Sequence, residues 1–208
     1  MTVPDSDLLV FLGFVIIVSL SGVMMPGPVM AAAIIKGYKD KSAGIWIALA
    51  HGAVEFPLIA LIYFGLGGFF EDKAVMAIIG LAGGAVLIYM GWGMFSHRND
   101  NPGKEKYLPQ HPFMVGLITS LSNPYFFLWW ATVGLLLIST ASQFGPWVVV
   151  AFALAHWSCD LAWDSALSFM AFRSRNLWTR RTRSIVLGAC GVVLAAFGMY
   201  FIVSPIIG

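Results

Sequence analysis

The feature that most constrains this chain is a series of six apolar runs, each long enough to cross a lipid bilayer. An α-helix rises about 1.5 Å per residue, so about 20 residues span about 30 Å of hydrocarbon. Hydrophobic residues make up 59% of the sequence and charged residues 11%, unlike ordinary soluble domains. The sequence therefore predicts an all-α integral membrane protein of six transmembrane helices. The runs are 8–33, 43–67, 74–95, 113–139, 144–172 and 185–207.

Positive charge is concentrated on alternate connections between these runs. Eleven of the twelve Lys and Arg residues lie in the first, third and fifth connections, and only Lys73 lies elsewhere. Because connections rich in Lys and Arg stay in the cytoplasm, six crossings place both termini outside it. We expect a multi-pass protein of the plasma (cytoplasmic) membrane with no nucleic-acid partner. Asp5 and Asp7 precede the first run without any Lys or Arg, so no cleaved signal peptide is expected.

The two halves of the chain share a local pattern. The sequence Ala-Leu-Ala-His ends at His51 with Glu55 four residues later, and it recurs ending at His156 with Asp160 four residues later. Prolines interrupt the first and fourth runs at similar places, and a Gly-x-x-Gly pattern occurs in the third and the sixth. These matches predict that the second half repeats the first.

A segment rich in proline and charge divides the halves. Residues 96–112 contain three prolines and are typical of a cytoplasmic linker, which separates a first three-helix repeat at 1–95 from a second at 113–208. An odd number of helices per half forces the halves into opposite orientations. This is the inverted-repeat architecture of many secondary transporters.

Three carboxylates lie inside the predicted helices: Glu55, Asp160 and Asp164. Each costs about 2.5–3.5 kcal/mol at the centre of a membrane helix, and no Lys or Arg lies within a run to pair with it. His51 and His156 share a helix face with the acids four residues later. Because burial favours a neutral carboxyl, such groups can exchange protons or hold a cationic substrate. Interhelical hydrogen bonding, above all for Asp164, and metal ligation remain alternatives.

Proline breaks the first and fourth helices. Pro26, Gly27 and Pro28 interrupt the first, and Asn123 and Pro124 interrupt the fourth. Proline removes a backbone donor, and the resulting irregular backbone is tolerated in a membrane only beside protein or a water-filled cavity. The half-helix after each break presents free N–H groups that suit a substrate carboxylate. Simple packing kinks are the alternative.

The remaining features carry weaker predictions. We expect the aromatic residues of 125–130 to pack or face lipid rather than bind a cation. Glycines in the third and sixth helices permit close helix contact, either within one chain or between two copies in a homodimer. Cys159 and Cys190 lack the spacing of a metal site, and no metal or other cofactor is expected.

Several of these motifs together resemble the lysine exporter (LysE/RhtB) superfamily over about residues 10–204. The motifs are Pro26-Gly27-Pro28, His51-Gly52, Tyr89-x-Gly91-Trp92, Asn123-Pro124, Asp160-x-x-Trp163 and the pattern from Gly188 to Tyr200. The resemblance implies export of amino acids or related small metabolites driven by the proton gradient. Relatives in the wider superfamily move metal cations or thiol reducing equivalents. The thiol branch is disfavoured because Met25 and Asn123 stand where its cysteines are expected.

The resemblance and the residues lead to one predicted function. We expect a homodimeric, proton-coupled secondary transporter that exports an amino acid or a similar small zwitterion or cation. A divalent metal-cation exporter is the alternative. An intramembrane enzyme would need Ser158 as a nucleophile beside His156 and Asp160, and this loose arrangement is disfavoured, so the protein is not expected to be an enzyme.

Overall fold

The computed structural model describes residues 5–65, 72–99 and 108–207, and all regular structure in these ranges is helical. The predicted all-α class is therefore confirmed there. Residues 100–107 of the predicted linker lie outside the described ranges. The helices are α1 (Asp5–Val23), α2 (Pro28–Gly37), α3 (Ala43–Tyr63), α4 (Lys73–Ser96), α5 (Pro112–Leu121), α6 (Pro124–Trp129), a π-helical turn (Trp130–Gly134), α7 (Leu135–Gln143), α8 (Pro146–Ser174), a 3₁₀ turn (Arg175–Leu177) and α9 (Arg180–Ile207).

The described helices include four segments long and apolar enough to cross a bilayer: α3, α4, α6 through α7, and most of α9. The pair α1 and α2 passes the same test when taken together, with a bend of 76° between them. The chain is thus an all-helical protein with four to five apolar spans in its described part. Helix α8 is not among them, although its 29 residues extend about 43 Å.

Both predicted helix breaks are present, and proline explains their positions. Pro28 and Pro124 each occupy the first position of a new helix, and Gly27 and Asn123 before them have extended backbone. The residue before a proline disfavours helical dihedral angles, so the preceding helix ends early. The fourth apolar run therefore forms α5 and then α6 instead of one helix. Pro57, by contrast, lies inside α3, which continues past it.

Helices α4 and α9 form the most extensive helix pair in the described part of the chain. They run antiparallel, with Gly84 beside Gly198 and Gly91 beside Gly191. A Cβ atom on any of these glycines would lie 2.6–2.7 Å from the carbonyl oxygen of its partner. The predicted close contact between the helices that carry these glycines is therefore made within one chain.

Helices α3 and α8 bring together the two segments that carry the membrane carboxylates. Gly44, near the start of α3, contacts the backbone of Asp164 and the hydroxyl of Ser168 on α8. About two turns later, the indole of Trp157 lies against Gly52, and its Nε1 donates to a backbone carbonyl of α3 at 2.9 Å. The two helices are therefore antiparallel and adjoin at their middle turns.

Candidate functional site

Two histidines and two carboxylates meet where the middles of α3 and α8 adjoin. Nε2 of His156 lies 3.1 Å from Oε1 of Glu55 and 3.7 Å from Oδ2 of Asp160. Nε2 of His51 lies 3.7 Å from Oε1 of Glu55 and 3.8 Å from Oδ1 of Asp160. Each imidazole therefore faces both carboxylates. We call these four residues the His–carboxylate cluster.

The other ring nitrogen of each histidine is held by a serine. Nδ1 of His51 lies 2.8 Å from Oγ of Ser120 on α5, and Nδ1 of His156 lies 2.7 Å from Oγ of Ser19 on α1. Both serines are fully buried. Hydrogen bonds at Nδ1 fix the ring planes, so each Nε2 is oriented toward the carboxylates.

The carboxylates of the cluster are buried without enough hydrogen-bond partners. Glu55 has 0% of its surface exposed and Asp160 has 7%. Oε2 of Glu55 and Oδ2 of Asp160 have no hydrogen-bond partner, and the closest group to Oε1 of Glu55 is Nε2 of His156 at 3.1 Å. A buried ionised carboxylate is costly unless it is paired and hydrogen-bonded. These oxygens therefore suit a proton or an ammonium group as an additional partner.

The cluster opens into a cavity of about 80 Å³. At about 10–15 Å³ per water, this space holds several water molecules. None of the described residues that line it is Lys or Arg. The lining residues predicted from the sequence are Pro26, Gly27, Pro28, His51, Glu55, Asn123, His156, Asp160 and Asp164.

The structure thus brings nine of the ten predicted site residues to one cavity. Pro124 is buried at the first position of α6, next to Asn123, and does not itself line the space. Asp164 is 3% exposed, one turn beyond Asp160 on α8. Asp164 therefore lines the cavity together with Asp160.

Aromatic side chains form one wall of the cavity. The ring of Phe126 meets His51 edge-on at 5.0 Å, and the rings of Trp129 and Trp130 lie 4.8 Å and 5.1 Å from His156. All three are at most 9% exposed, so these side chains pack inside the protein, and they also line the cavity. Gly134 makes room for Trp130, because a Cβ there would lie 2.2 Å from the indole.

Sequence reasoning missed the two serines that hold the histidines and the aromatic lining of the cavity. A π-helical turn at Trp130–Gly134 adjoins this wall, and such turns are frequent at functional sites. Ser158, the nucleophile of the disfavoured enzyme alternative, is exposed and donates to the Ala155 carbonyl on its own helix. It therefore does not join the cluster.

The cluster also contains donor atoms that suit a metal ion. One ligand atom each from His51, Glu55 and Asp160 lie within 4.8 Å of one another. Imidazole and carboxylate donors bind several divalent transition metals. This geometry keeps the metal-cation alternative open for a direct test.

Apolar spans next to a cavity that contains buried ionisable side chains, beside two broken helices, are the arrangement of a membrane transporter. The chain belongs to the LysE type translocator family, whose family model matches residues 20–205. The resemblance seen in the sequence motifs is thereby confirmed. The protein is a translocator and not an enzyme.

Curated relatives cover nearly the whole chain. The putative amino acid efflux protein YcgF of Bacillus subtilis (strain 168) is 30% identical over 201 residues, which is 92% of this chain and 94% of the relative. The threonine efflux protein of Escherichia coli (strain K12) is 26% identical over 204 residues, with 91% and 96% covered. The threonine efflux protein of Salmonella typhi is 25% identical over 206 residues, with 91% and 96% covered. No solved structure matches the chain.

Proposed function

We propose that this protein is a proton-coupled secondary transporter that exports an amino acid or a similar small zwitterionic or cationic metabolite. One observation carries the proposal: the His–carboxylate cluster is buried in a cavity between two broken helices and has unpaired carboxylate oxygens. The relatives named for amino acid efflux and threonine efflux support an amino acid as the substrate.

The cavity offers partners for both charges of a zwitterion. The ammonium group of the substrate binds Glu55 or Asp160, where Oε2 of Glu55 and Oδ2 of Asp160 accept its N–H groups. The carboxylate binds at the breaks, where the helical segments that begin at Pro28 and Pro124 present free backbone N–H groups. Because no Lys or Arg lines the described cavity, these helix ends supply its fixed positive potential.

The same carboxylates couple transport to the proton gradient. Glu55 and Asp160 can each hold the substrate ammonium or a proton, but not both at once on the same oxygens. On the outer side of the membrane, entry of a proton therefore favours release of the substrate. On the cytoplasmic side, binding of the substrate favours release of the proton. His51 and His156, whose Nε2 atoms face both carboxylates, relay the proton between them.

We propose six crossings arranged as two inverted three-helix repeats, 1–95 and 113–208, joined by a cytoplasmic linker at 96–112. Reciprocal contacts support this arrangement. His51 of the first half bonds to Ser120 on the broken helix of the second half, and His156 of the second bonds to Ser19 on the broken helix of the first. Rocking of one half against the other would give alternating access.

The positive connections support a place in the cytoplasmic membrane with both termini outside the cytoplasm. A homodimer stays a prediction. The glycines that were one reason to expect it contact each other between α4 and α9 of the same chain. Crosslinking of the protein in lipid vesicles measures the oligomeric state directly.

Efflux of radiolabelled L-threonine from proteoliposomes tests the proposal. We expect an inward proton gradient to accelerate efflux several-fold, and Glu55→Gln and Asp160→Asn to abolish that acceleration because each removes a group that exchanges protons. Asp40→Asn is the matched control. Asp40 accepts bonds from the backbone and hydroxyl of Ser42 in the loop before α3, and Asn keeps that acceptor.

Efflux that is indifferent to the gradient, and equal in all three variants, would refute proton coupling through the cluster. Calorimetry that measures binding of Zn²⁺ and Mn²⁺ to the purified protein distinguishes the metal-cation exporter from the amino acid exporter. Binding that is lost in His51→Ala and Glu55→Gln, together with no amino acid efflux, would favour a metal exporter. Absence of binding would remove that alternative.

A further inference from the structure

The hydroxyl group of Ser120 has two hydrogen-bond partners and only one proton to donate. Its Oγ lies 2.7 Å from the backbone carbonyl of Gly116 and 2.8 Å from Nδ1 of His51. A carbonyl can only accept, so both bonds form only when Ser120 donates to Gly116 and His51 donates from Nδ1. Ser120 is fully buried, and a buried polar group left unpaired is costly. The contacts therefore place a proton on Nδ1 of His51.

This proton position decides what His51 presents to the carboxylates. A neutral imidazole with its proton on Nδ1 has a lone pair on Nε2. That atom lies 3.7 Å from Oε1 of Glu55 and 3.8 Å from Oδ1 of Asp160. The ring of His51 also meets the uncharged ring of Phe126 edge-on, and Nε2 of His156 faces the same two carboxylates. A lone pair that faces carboxylate oxygens is repulsive unless a proton or another cation lies between them.

We infer that Ser120 is a positioning residue that holds neutral His51 in the Nδ1–H form, so that Nε2 and the oxygens of Glu55 and Asp160 together form a centre that accepts a cation. The inference rests on the proposed function in one respect only, which is that the centre takes part in transport. With its proton on Nε2, the ring would direct an N–H group at the carboxylates, and the electrostatic attraction would partly replace that of a bound cation. The centre would then have less need of a substrate ammonium or an incoming proton.

The contact also links the centre to a helix break. Ser120 lies in the last turn of α5, three residues before Asn123, while His51 is on α3. A movement of α5 relative to α3 that separates the two side chains would release Nδ1, and the ring proton could then move to Nε2. His156 makes the corresponding contact with Ser19, in the last turns of α1 before the other break.

Nitrogen-15 NMR of the histidine side chains tests the inference on the full-length protein in lipid nanodiscs. Spectra at alkaline pH report neutral rings, and the signals lost in His51→Asn assign His51. We expect its Nδ1 to be protonated and its Nε2 to be bare. Ser120→Ala removes the acceptor, so the ratio of the two tautomers should shift toward Nε2–H by on the order of fivefold, the effect of one neutral hydrogen bond.

Two variants serve as controls. Ser122→Ala removes a hydroxyl that donates to the Ile118 carbonyl of the same helix and touches no histidine, so the His51 spectrum should stay unchanged. Ser120→Thr keeps a hydroxyl at position 120 and should retain the Nδ1–H form. A wild-type His51 protonated at Nε2, or equal spectra for Ser120→Ala and Ser122→Ala, would overturn the inference. Because the NMR measurement needs no transport, a failure of L-threonine efflux would refute only the proposed function and not the assignment of the His51 tautomer.

Discussion

Replacing Gly44 by Ala tests how the close packing of α3 and α8 supports the cluster. A Cβ atom at position 44 would lie 2.0 Å from the carbonyl oxygen of Asp164, whereas ordinary contact begins at 3.4 Å. The helices must separate locally by about 1.4 Å, the difference between these distances, because the obstructing atom belongs to the backbone. Overpacking lowers the free energy of unfolding by about 1–3 kcal/mol, and a clash with the backbone should cost an amount near the upper end of this range. Alanine recovers about 1 kcal/mol of helix propensity, so the net loss is about 2 kcal/mol.

Gly13→Ala is the matched control for this change. Gly13 lies in α1, and a Cβ atom added there would have no neighbouring atom within 4 Å, so alanine should leave stability equal or slightly higher. Unfolding of both purified variants in mixed micelles, titrated with SDS, measures the difference. The separation should also lengthen the 3.8 Å distance between His51 and Asp160 and slow L-threonine efflux. Equal stability and equal efflux in the two variants would refute this reasoning.

Three further substitutions have defined outcomes. Gly134→Ala places a Cβ 2.2 Å from the indole of Trp130, so it should lower stability by about 1–3 kcal/mol in the same SDS titration and disturb the aromatic wall. Ser168→Ala removes the hydroxyl that accepts from the backbone N–H of Gly44 at 3.0 Å, and it should cost about 1 kcal/mol, as loss of a helix cap does. Ser158→Ala should leave stability and efflux equal to those of the wild-type protein within error, because this exposed hydroxyl bonds only to its own helix. A large loss of stability or efflux in this variant would contradict the placement of the site.

The helix breaks and the acidic residues of the site followed from the sequence for simple physical reasons. Proline fixes its own backbone and restricts the residue before it, so Pro28 and Pro124 define helix starts without any knowledge of tertiary contacts. A spacing of four residues places His51 beside Glu55 on one helix face. The repeated motif in the second half places His156 beside Asp160 on one helix face in the same way.

The contacts across the helices could not be predicted in the same way. Serine is common in helices and usually bonds to its own helix, as Ser122 does, so nothing local marks Ser19 or Ser120 as a partner of histidine. Their roles depend on how α1 and α5 lie against α8 and α3. The aromatic wall was assigned to packing or lipid for the same reason, since an apolar run does not show which of its faces meets a cavity.

Simultaneous measurement of proton and amino acid movement tests the central claim most directly. Proteoliposomes loaded with L-threonine and a pH-sensitive dye report both fluxes at once. We predict that L-threonine efflux is accompanied by acidification of the vesicle interior, and that Glu55→Gln and Asp160→Asn lose the coupled proton movement while Asp40→Asn keeps it. Threonine efflux by the wild-type protein without any acidification, or with acidification that persists in both cluster variants, would contradict the account.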